Sequence, residues 1–224
     1  MTLKGILWDN DGVLVDSEHL FYDVNRALLL EHGVELSEDD FYRWYLAANC
    51  GAWHLLSARG ASEVRIAALR AERDVRYGRR LAGEGQLAMP GIAQVLEHCA
   101  ARVPMGVVTS ANRDHFDIIH GKLDLTRHFR FVLTAEDFRA SKPSPEPYLK
   151  GLERLGIAPA ECVVVEDSPR GLAAARAAGI RCIVLRHRLT RQCSFAGAFR
   201  VVDSVDQLGG ELAAMTAATG TSTQ

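Results

Sequence analysis

Short apolar runs recur along most of the chain, and they constrain its fold more than any other feature of the sequence. Each run is flanked by Gly, Pro or polar residues, which is the pattern of buried strands in a parallel sheet. The clearest runs are Gly5–Trp8, Val103–Val108, Cys162–Val165 and Arg181–Leu185. Phe129–Leu133 is a further candidate strand, and Phe199–Val202 is a candidate edge strand.

Helical patterns separate these runs. Ser144-Pro145 and Ser168-Pro169 each place a hydroxyl that can cap a helix before a proline that suits the first helical position. The predicted helices are Ile92–Cys99, Arg113–Gly121, Pro145–Leu155, Pro169–Ala178 and Val205–Met215. This alternation of strands and helices predicts an α/β fold, with a doubly wound parallel sheet and helices on both of its faces.

One segment, residues 17–88, breaks the alternation and is much too long to be a connection between strands. It contains helical patterns at about Glu18–His32, Glu38–Ala47, Trp53–Ala58 and Ser62–Leu81. A chain of 224 residues has room for one large domain or for one domain with an insertion. We therefore predict a core formed by residues 1–16 and 89–224, with residues 17–88 inserted after the first strand as a helical cap and hinged at the two crossings.

Composition and charge narrow the class of protein. The 26 Lys and Arg residues nearly balance the 28 Asp and Glu residues, so no overall basic surface favours nucleic acid or an anionic membrane. No apolar stretch approaches the roughly 18 residues of a membrane span, and no signal-peptide block follows the N-terminus. The five cysteines form no CxxC pair and are expected to be free thiols, which predicts a cytoplasmic protein. The small, polar tail Ala217–Gln224 is expected to fray.

Polar side chains follow the ends of the predicted strands, either directly or, for Lys142, at the end of the loop that follows Phe129–Leu133. Because ligands bind outside the carboxyl ends of the strands in an open parallel sheet, we expect these side chains to converge on one crevice. The convergent side chains are Asp9, Asp11, Thr109, Ser110, Lys142, Glu166 and Asp167.

Carboxylates gathered in a partly desolvated crevice must either protonate or hold a cation. Oxygen donors with no nearby His or Cys favour a hard ion, and Mg²⁺ fits because it keeps positions for water and a phosphate. A metal, a lysine and hydroxyls around a carboxylate form an arrangement suited to phosphoryl transfer. One carboxylate could act as a nucleophile, and a second carboxylate two residues later could act as an acid and a base.

The same residues resemble a known family. The segment from Asp9 to Glu18, with the sequence DNDGVLVDSE, resembles the first signature of the haloacid dehalogenase superfamily in its phosphatase and β-phosphoglucomutase-like branch. The strand that ends at Thr109, the pair Lys142-Pro143 and the segment VVVEDSPRG at 163–171 resemble its other three signatures, in the same order. The resemblance implies a Rossmann-like core, and residues 17–88 resemble the family's helical cap in position and length.

The first signature implies two catalytic roles. Asp9 is the nucleophile that becomes phosphorylated, and it also contributes to the metal site. Asp11 is the general acid and base, and its backbone carbonyl also reaches Mg²⁺. Dehalogenases of the superfamily lack an aspartate at the position of Asp11, so its presence favours a phosphatase. Asn10 departs from the apolar residue common at its position, which we expect to affect loop packing more than chemistry, although it could alter hydrogen bonding near the phosphate.

The other signatures imply binding roles. Thr109 binds the phosphoryl oxygens, with the neighbouring Ser110 as a rival for this role. Lys142 neutralises the nucleophile and the phosphate. Asp167 anchors Mg²⁺, and Glu166 supports the metal directly or through water.

Several polar residues have simpler structural interpretations. Asn112 is expected to cap the helix that follows it. The arginines near position 75 favour a solvated charged face, although Arg73 or Arg76 could instead point into the cleft toward the substrate.

The sequence therefore predicts a Mg²⁺-dependent phosphatase that acts on a small phosphorylated metabolite, with a sugar phosphate as the leading substrate, through an aspartyl phosphate. One alternative is a phosphosugar mutase resembling β-phosphoglucomutase, whose cap carries a basic residue shortly after a glycine. Here no Lys or Arg follows Gly51 until Arg59. The alternative from another class is a binding or regulatory protein on a retired enzyme scaffold. We expect no nucleic-acid or membrane partner, and a monomer or a weak homodimer.

Overall fold

The computed structural model describes residues 3–191 and 193–217. The chain divides into two compact units. One unit contains the described residues up to Asp16 and those from Leu87 onward, and Ser17–Gln86 form the other. Most of the tail that we expect to fray, from position 218 onward, lies outside the described residues.

Six parallel strands form a single sheet in the first unit. They are β1 (Gly5–Trp8), β2 (Met105–Val108), β3 (Phe131–Leu133), β4 (Cys162–Glu166), β5 (Arg181–Leu185) and β6 (Arg200–Val202). Their order across the sheet is β3-β2-β1-β4-β5-β6, so Ile6 of β1 pairs with Met105 of β2 and with Val163 of β4. The direction of winding reverses between β1 and β4, which is where open parallel sheets form a ligand crevice.

Two strands are shorter than the sequence pattern predicts. β2 begins at Met105 rather than Val103, because Pro104 has no N–H to donate, although its carbonyl accepts from the amide of Ile6 at 3.1 Å. β3 begins at Phe131 rather than Phe129, because the amide of Phe129 closes the preceding turn on the carbonyl of Thr126.

Four α-helices form the second unit. They are α1 (Glu18–Glu31), α2 (Glu38–Phe41), α3 (Trp53–Ser57) and α4 (Glu63–Gly83). Tyr42–Ala47 continue α2 as a π-helix, whereas the pattern predicts one regular helix to Ala47. The amide of Ala48 donates to the carbonyl of Arg43 five residues earlier, which is the wider turn of a π-helix.

Aromatic rings and ion pairs hold this helical unit together. The rings of Phe21, Phe41, Tyr45 and Tyr77 pack with centroids 5.0–6.2 Å apart. Arg76 forms ion pairs with Glu31 and Glu72, which agrees with a solvated charged face. Arg73 pairs with Asp74 and lies over the ring of Phe21, 4.9 Å from its centroid. A substrate contact for either arginine stays a prediction.

Five further helices cover the sheet. They are α5 (Ile92–Ala100), α6 (Arg113–His120), α7 (Glu146–Leu155), α8 (Pro169–Ala177) and α9 (Val205–Ala217). Leu7 and Val164 belong to one core cluster with residues of α7 and α8. Their neighbours Ile6 and Val163 point to the opposite face and are also fully buried, so both faces of the sheet are covered. The predicted fold, a doubly wound Rossmann-like parallel sheet with an inserted helical segment, is confirmed.

The helix caps agree with the predictions in part. Ser168 caps α8, because its hydroxyl accepts from the amide of Gly171 at 3.1 Å. α7 begins one residue later than predicted, with Pro145 at the cap position, but the hydroxyl of Ser144 still accepts from the amide of Glu146 at 3.3 Å.

The prediction that Asn112 caps α6 with its side chain is wrong. Asn112 occupies the cap position, but its side chain makes no capping hydrogen bond. The Glu136 carboxylate accepts from the amide of Arg113 instead, at 3.1 and 3.2 Å. A carboxylate at a helix N-terminus interacts favourably with both the backbone N–H and the helix dipole. Here the Glu136 carboxylate takes the capping role that was expected of the Asn112 side chain.

All five cysteines are free, as predicted. Within the described residues, none of the helices combines the length and the apolar character that crossing a membrane requires.

Candidate active site

The loop after β1 holds Asp9 at the switch point of the sheet. The amide of Asp9 donates to the carbonyl of Val165 in β4 at 2.9 Å, which fixes the residue beside the end of that strand. The backbone carbonyl of Asn10 then accepts hydrogen bonds, in a tight turn, from the amides of Val13, Leu14 and Val15. The loop therefore holds the Asp9 backbone firmly before the chain leaves this unit at Asp16.

Gly12 is required in this loop for two reasons. Its φ of +74° lies in the left-handed region of the backbone, which residues other than glycine rarely adopt. A methyl group at this position would also overlap Oδ2 of Asp167. The β1 loop and the end of β4 can therefore approach each other only because position 12 carries no side chain.

Lys142 joins three elements through its ammonium group. Its Nζ donates to Oδ1 of Asp9 at 2.9 Å, to Oε1 of Glu166 at 2.6 Å and to the carbonyl of Val108 at 2.9 Å. The Lys142 side chain is only 2% exposed and that of Glu166 is fully buried. All three ammonium N–H groups thus have acceptors, and the lysine is held in one place.

The cluster contains more negative than positive charge. Burial, followed by repulsion from Glu166, raises the pKa of Asp9 to about 7 even though Lys142 opposes the change. Burial alone would lower the pKa of Lys142, but attraction to Asp9 and Glu166 raises it above its ordinary value. Burial alone would raise the pKa of Glu166, but Lys142 lowers it below its ordinary value. Lys142 and Glu166 are therefore the ionised pair, and Asp9 needs further positive charge to ionise fully.

Glu166 is surrounded by donors. Besides Lys142, its Oε1 accepts from the hydroxyl of Tyr148 at 2.6 Å. Its Oε2 accepts from the amide of Asp167 at 3.1 Å, and from the amide and hydroxyl of Ser168 at 3.3 and 3.0 Å. Because these donors use the lone pairs of both oxygens, the contacts favour an indirect role of Glu166 toward a metal over direct ligation.

Tyr148 is a site residue that the sequence reasoning missed. It is fully buried in α7, and its ring centroid lies 4.8 Å from Nζ of Lys142. Burial and the nearby carboxylates raise the pKa of Tyr148 well above its ordinary value, so its hydroxyl stays a donor to Glu166. Its place in an ordinary helical pattern gave no signal of this role.

The oxygen donors at the switch point fit a hard divalent cation. One carboxylate oxygen from each of Asp9, Glu166 and Asp167 lies within 4.8 Å of the others. Carboxylate oxygens at this spacing could hold Mg²⁺.

His187 is a second residue that the sequence reasoning missed. Its Nε2 lies 2.8 Å from Oδ2 of Asp167. Its Nδ1 accepts from the amide of Leu189 at 3.3 Å, so Nε2 carries the proton and donates to the aspartate. His187 closely follows the end of β5, so the same rule of strand ends would have found it if applied to that strand.

The predicted hydroxyls and the second aspartate lie at the same edge of the sheet. Thr109 is buried directly after β2, and its Oγ1 accepts from the amide of Ala111 at 3.0 Å, which leaves its O–H to donate. Oγ of Ser110 accepts from Arg170 at 3.4 Å. Asp11 is partly exposed, and its Oδ2 accepts from the side chain of Asn10 at 3.2 Å.

Comparison with known proteins assigns this chain to a family. A family model described as haloacid dehalogenase-like hydrolase matches residues 3–179. Protein CbbY of Cereibacter sphaeroides is 33% identical, with the alignment covering 93% of this chain and 95% of the relative. Hexitol phosphatase A of Escherichia coli (strain K12) is 32% identical over 83% of this chain and 84% of the relative.

A solved structure agrees with this result. The crystal structure of CbbY from Rhodobacter sphaeroides in complex with phosphate superposes with a TM-score of 0.78 at 26% identity, covering 93% of this chain and 97% of that chain. The predicted class of phosphoric monoester hydrolase agrees with the relatives that are named phosphatases. The chain belongs to the haloacid dehalogenase-like hydrolase family, and it is an enzyme, as its motifs predict.

Proposed function

We propose that this chain is a Mg²⁺-dependent phosphatase that hydrolyses a small phosphorylated metabolite through an aspartyl phosphate on Asp9. A sugar phosphate is the leading substrate class. The observation that carries the proposal is the buried contact between Asp9 and Lys142, a carboxylate and an ammonium 2.9 Å apart at the switch point of the sheet. The name of the relative hexitol phosphatase A supports a phosphorylated sugar or sugar alcohol as substrate.

In the first step, the Asp9 carboxylate attacks phosphorus, and the bond from phosphorus to the substrate's alcohol oxygen breaks. Lys142 holds Oδ1 of Asp9, which orients the nucleophile and offsets its charge beside an anionic phosphate. The hydroxyls of Thr109 and Ser110 are proposed to donate to the phosphoryl oxygens. Glu166 acts on this step indirectly, because it holds Lys142 in place.

Asp11 is the proposed acid and base. In the first step its carboxylic acid protonates the departing alcohol oxygen. In the second step its carboxylate takes a proton from water, and that water breaks the aspartyl phosphate to free Asp9 and inorganic phosphate. The partial exposure of Asp11 supports this role, because the side chain must meet both the leaving group and water.

Asp9 and Asp167 are the proposed side-chain ligands of Mg²⁺, with the backbone carbonyl of Asp11 as a third ligand. When bound, Mg²⁺ supplies positive charge that favours the ionised form of Asp9 and offsets the charge of the phosphate. Glu166 and His187 support the site by holding Lys142 and Asp167, respectively.

The helical unit is the proposed source of substrate selection. Its chain leaves the α/β unit after Asp16, soon after the residues of the site loop. We propose that this unit acts as a cap that excludes bulk water and selects the alcohol part of the substrate.

A phosphosugar mutase is the nearest alternative function. A mutase resembling β-phosphoglucomutase needs a basic cap residue near Gly51, and the first Lys or Arg after this glycine is Arg59. The Arg59 guanidinium donates to the backbone carbonyls of His32 and Gly33, which occupies it within the helical unit. These contacts favour the phosphatase. Conversion of β-glucose 1-phosphate to glucose 6-phosphate without release of phosphate, in the presence of a bisphosphate primer, would instead establish the mutase.

A binding protein on a retired scaffold is the alternative from another class. The intact set of Asp9, Asp11, Lys142, Glu166 and Asp167 argues against it, because a protein that only binds a ligand need not keep all five. Measurable Mg²⁺ binding without turnover on a broad panel of phosphorylated metabolites would favour this alternative.

The proposal is tested by phosphate release from p-nitrophenyl phosphate and a panel of sugar and sugar-alcohol phosphates, with Mg²⁺ and with a chelator. We expect hydrolysis that requires Mg²⁺ and is fastest with one class of sugar phosphate. The matched control is Asp9→Asn, which keeps the size of the side chain and removes the nucleophile, and which should be inactive. Activity without a metal, or activity that survives Asp9→Asn, would contradict the proposal.

A further inference from the structure

Asn10 is a fully buried amide between two residues of the proposed catalytic machinery. A buried amide is tolerated when its oxygen and nitrogen have hydrogen-bond partners. Its Oδ1 lies 2.7 Å from Nε2 of His120, and its Nδ2 donates to Oδ2 of Asp11 at 3.2 Å. The side chain therefore connects a histidine 110 positions away to the proposed acid and base.

His120 is held rigidly where α6 ends. The side chain is 7% exposed, and its ring stacks on that of Phe116 with the centroids 4.1 Å apart. Burial lowers the pKa of His120 to about 4, although the charge of Asp11 opposes this change. The ring is therefore neutral near pH 7 and carries a single N–H.

The position of that N–H follows from the partners of the ring. The amide oxygen of Asn10 can only accept, so Nε2 of His120 must be the protonated nitrogen. Nδ1 is then a bare acceptor, and among the described residues it is buried without a hydrogen-bond partner. The orientation of the Asn10 amide follows from its other partner, because the Asp11 carboxylate accepts and therefore takes the nitrogen end, which leaves the oxygen end facing His120.

We propose that His120 and Asn10 are positioning residues that orient the Asp11 carboxylate for proton transfer. The N–H of His120 donates to the amide oxygen of Asn10, and the amide nitrogen of Asn10 donates to Asp11. Both side chains are neutral, so they add no net charge to a crevice that is already rich in carboxylates. The hydrogen bond to Oδ2 limits the rotation of the Asp11 carboxylate, which exchanges a proton with the leaving group and with water. This inference rests on the proposed role of Asp11 as general acid and base.

The test compares two substrates that differ in their need for an acid. 2,4-Dinitrophenyl phosphate has a leaving group that departs without a proton, whereas sorbitol 6-phosphate releases an alcohol that must be protonated. With enzyme in excess, single-turnover release of dinitrophenolate or sorbitol reports the first step alone. We expect His120→Leu and Asn10→Leu to slow sorbitol release about tenfold or more, and to change dinitrophenolate release by less than about threefold.

Two control variants separate positioning from packing. His120→Gln places an amide N–H near the position of Nε2 and should restore most of the rate of sorbitol release. Phe116→Leu loosens the packing around the His120 ring but keeps its hydrogen bonds. It should therefore lower the free energy of unfolding without slowing sorbitol release more than dinitrophenolate release. Equal slowing of both substrates in His120→Leu, or no slowing of sorbitol release, would overturn the inference.

A measurement on the wild-type protein does not depend on turnover or on the folding of a variant. Nitrogen-15 NMR of histidine-labelled protein should show His120 neutral at pH 6, with the proton on Nε2. A proton on Nδ1, or a doubly protonated ring at pH 6, would overturn the inference. Because this result is independent of activity, failure of the inference can be distinguished from failure of the proposed phosphatase.

Discussion

Lys142 and Glu166 form an ion pair inside the protein, with Nζ 2.6 Å from Oε1 and side chains that are 2% and 0% exposed. Glu166 is itself fixed by Tyr148, the amide of Asp167 and Ser168. The lysine is therefore attached to a rigid anchor, and its remaining contacts with the Val108 carbonyl and Asp9 are set by that anchor. Positive charge beside the proposed nucleophile thus depends on the residues that hold Glu166 in place.

Replacement of Lys142 by methionine should damage both stability and activity. The change leaves the buried Glu166 without its cation, so the free energy of unfolding should fall by about 3–5 kcal/mol. The rate constant for phosphate release should fall about 100-fold or more, because the charge beside Asp9 is lost.

Urea unfolding and assays of p-nitrophenyl phosphate hydrolysis measure these two effects. Lys150→Met is the matched control, because Lys150 pairs with Glu146 at 3.1 Å on a partly exposed surface. It should change the free energy of unfolding by less than about 1 kcal/mol. Equal effects of the two lysine changes would contradict the buried-pair argument.

Replacement of Gly171 by alanine should be harmful, although alanine favours helices more than glycine does. A methyl group at Gly171 in α8 would overlap the Glu166 carboxylate, so the anchor of Lys142 would have to move. We expect a loss of about 1–3 kcal/mol in the free energy of unfolding, together with reduced activity.

The control for this prediction is Gly210→Ala in α9. An added methyl at this position would meet no atom within 4 Å, so the substitution should stabilise the protein by about 0.5–1 kcal/mol. Thermal or urea unfolding of both variants decides the matter. Stabilisation by Gly171→Ala would show that the Glu166 carboxylate does not need its observed position.

Replacement of His187 should weaken the proposed metal site. His187→Phe keeps a ring but removes its donor to Asp167, so the carboxylate loses one of the contacts that orient it. We expect the Kd for Mg²⁺, measured by isothermal titration calorimetry, to rise about tenfold. His187→Gln retains a donor near Nε2 and should raise the Kd less. An unchanged or lower Kd in His187→Phe would refute this role.

The buried neutral histidine makes stability depend on pH. In the folded protein the pKa of His120 is lowered to about 4, mainly by burial, whereas the unfolded chain takes up a proton near pH 6.5. The contribution of His120 to the free energy of unfolding is therefore fully present above about pH 6.5, and it falls by about 3 kcal/mol as the pH drops toward 4.

Urea unfolding of wild type and His120→Gln at about pH 7 and pH 4.5 isolates this contribution, because the other titrating groups are common to both proteins. The wild type should lose about 2–3 kcal/mol more than the variant on acidification. The same loss in both proteins would show that His120 is not held neutral.

Most of the fold could be predicted because its signals are local. Buried parallel strands appear as short apolar runs such as Gly5–Trp8, and the carboxyl ends of such strands share one edge of the sheet. That rule was enough to expect Asp9, Lys142 and Asp167 near one another. The first residues of β2 and β3 were harder to predict. They depend on whether a backbone amide can bond to the neighbouring strand or instead, as at Phe129, closes a turn.

The supporting side chains could not be predicted for a different reason. Tyr148 and His120 lie at ordinary positions of helices α7 and α6, and their partners are distant in sequence. Nothing local distinguishes a buried helical tyrosine from one that holds a catalytic carboxylate. Asn10 gave a partial signal, since a polar residue at a usually apolar position needs a partner, but only the tertiary structure identifies His120.

The most direct test of the account is to trap the phosphorylated residue. Wild-type protein is mixed with Mg²⁺ and substrate, quenched in acid within one turnover and treated with borohydride, which reduces an aspartyl phosphate to homoserine. Peptide mass spectrometry then locates the modified residue. We expect homoserine at position 9 in the wild type and none in Asp9→Asn. Modification at another residue, or turnover without any trapped residue, would contradict the role of Asp9 as nucleophile.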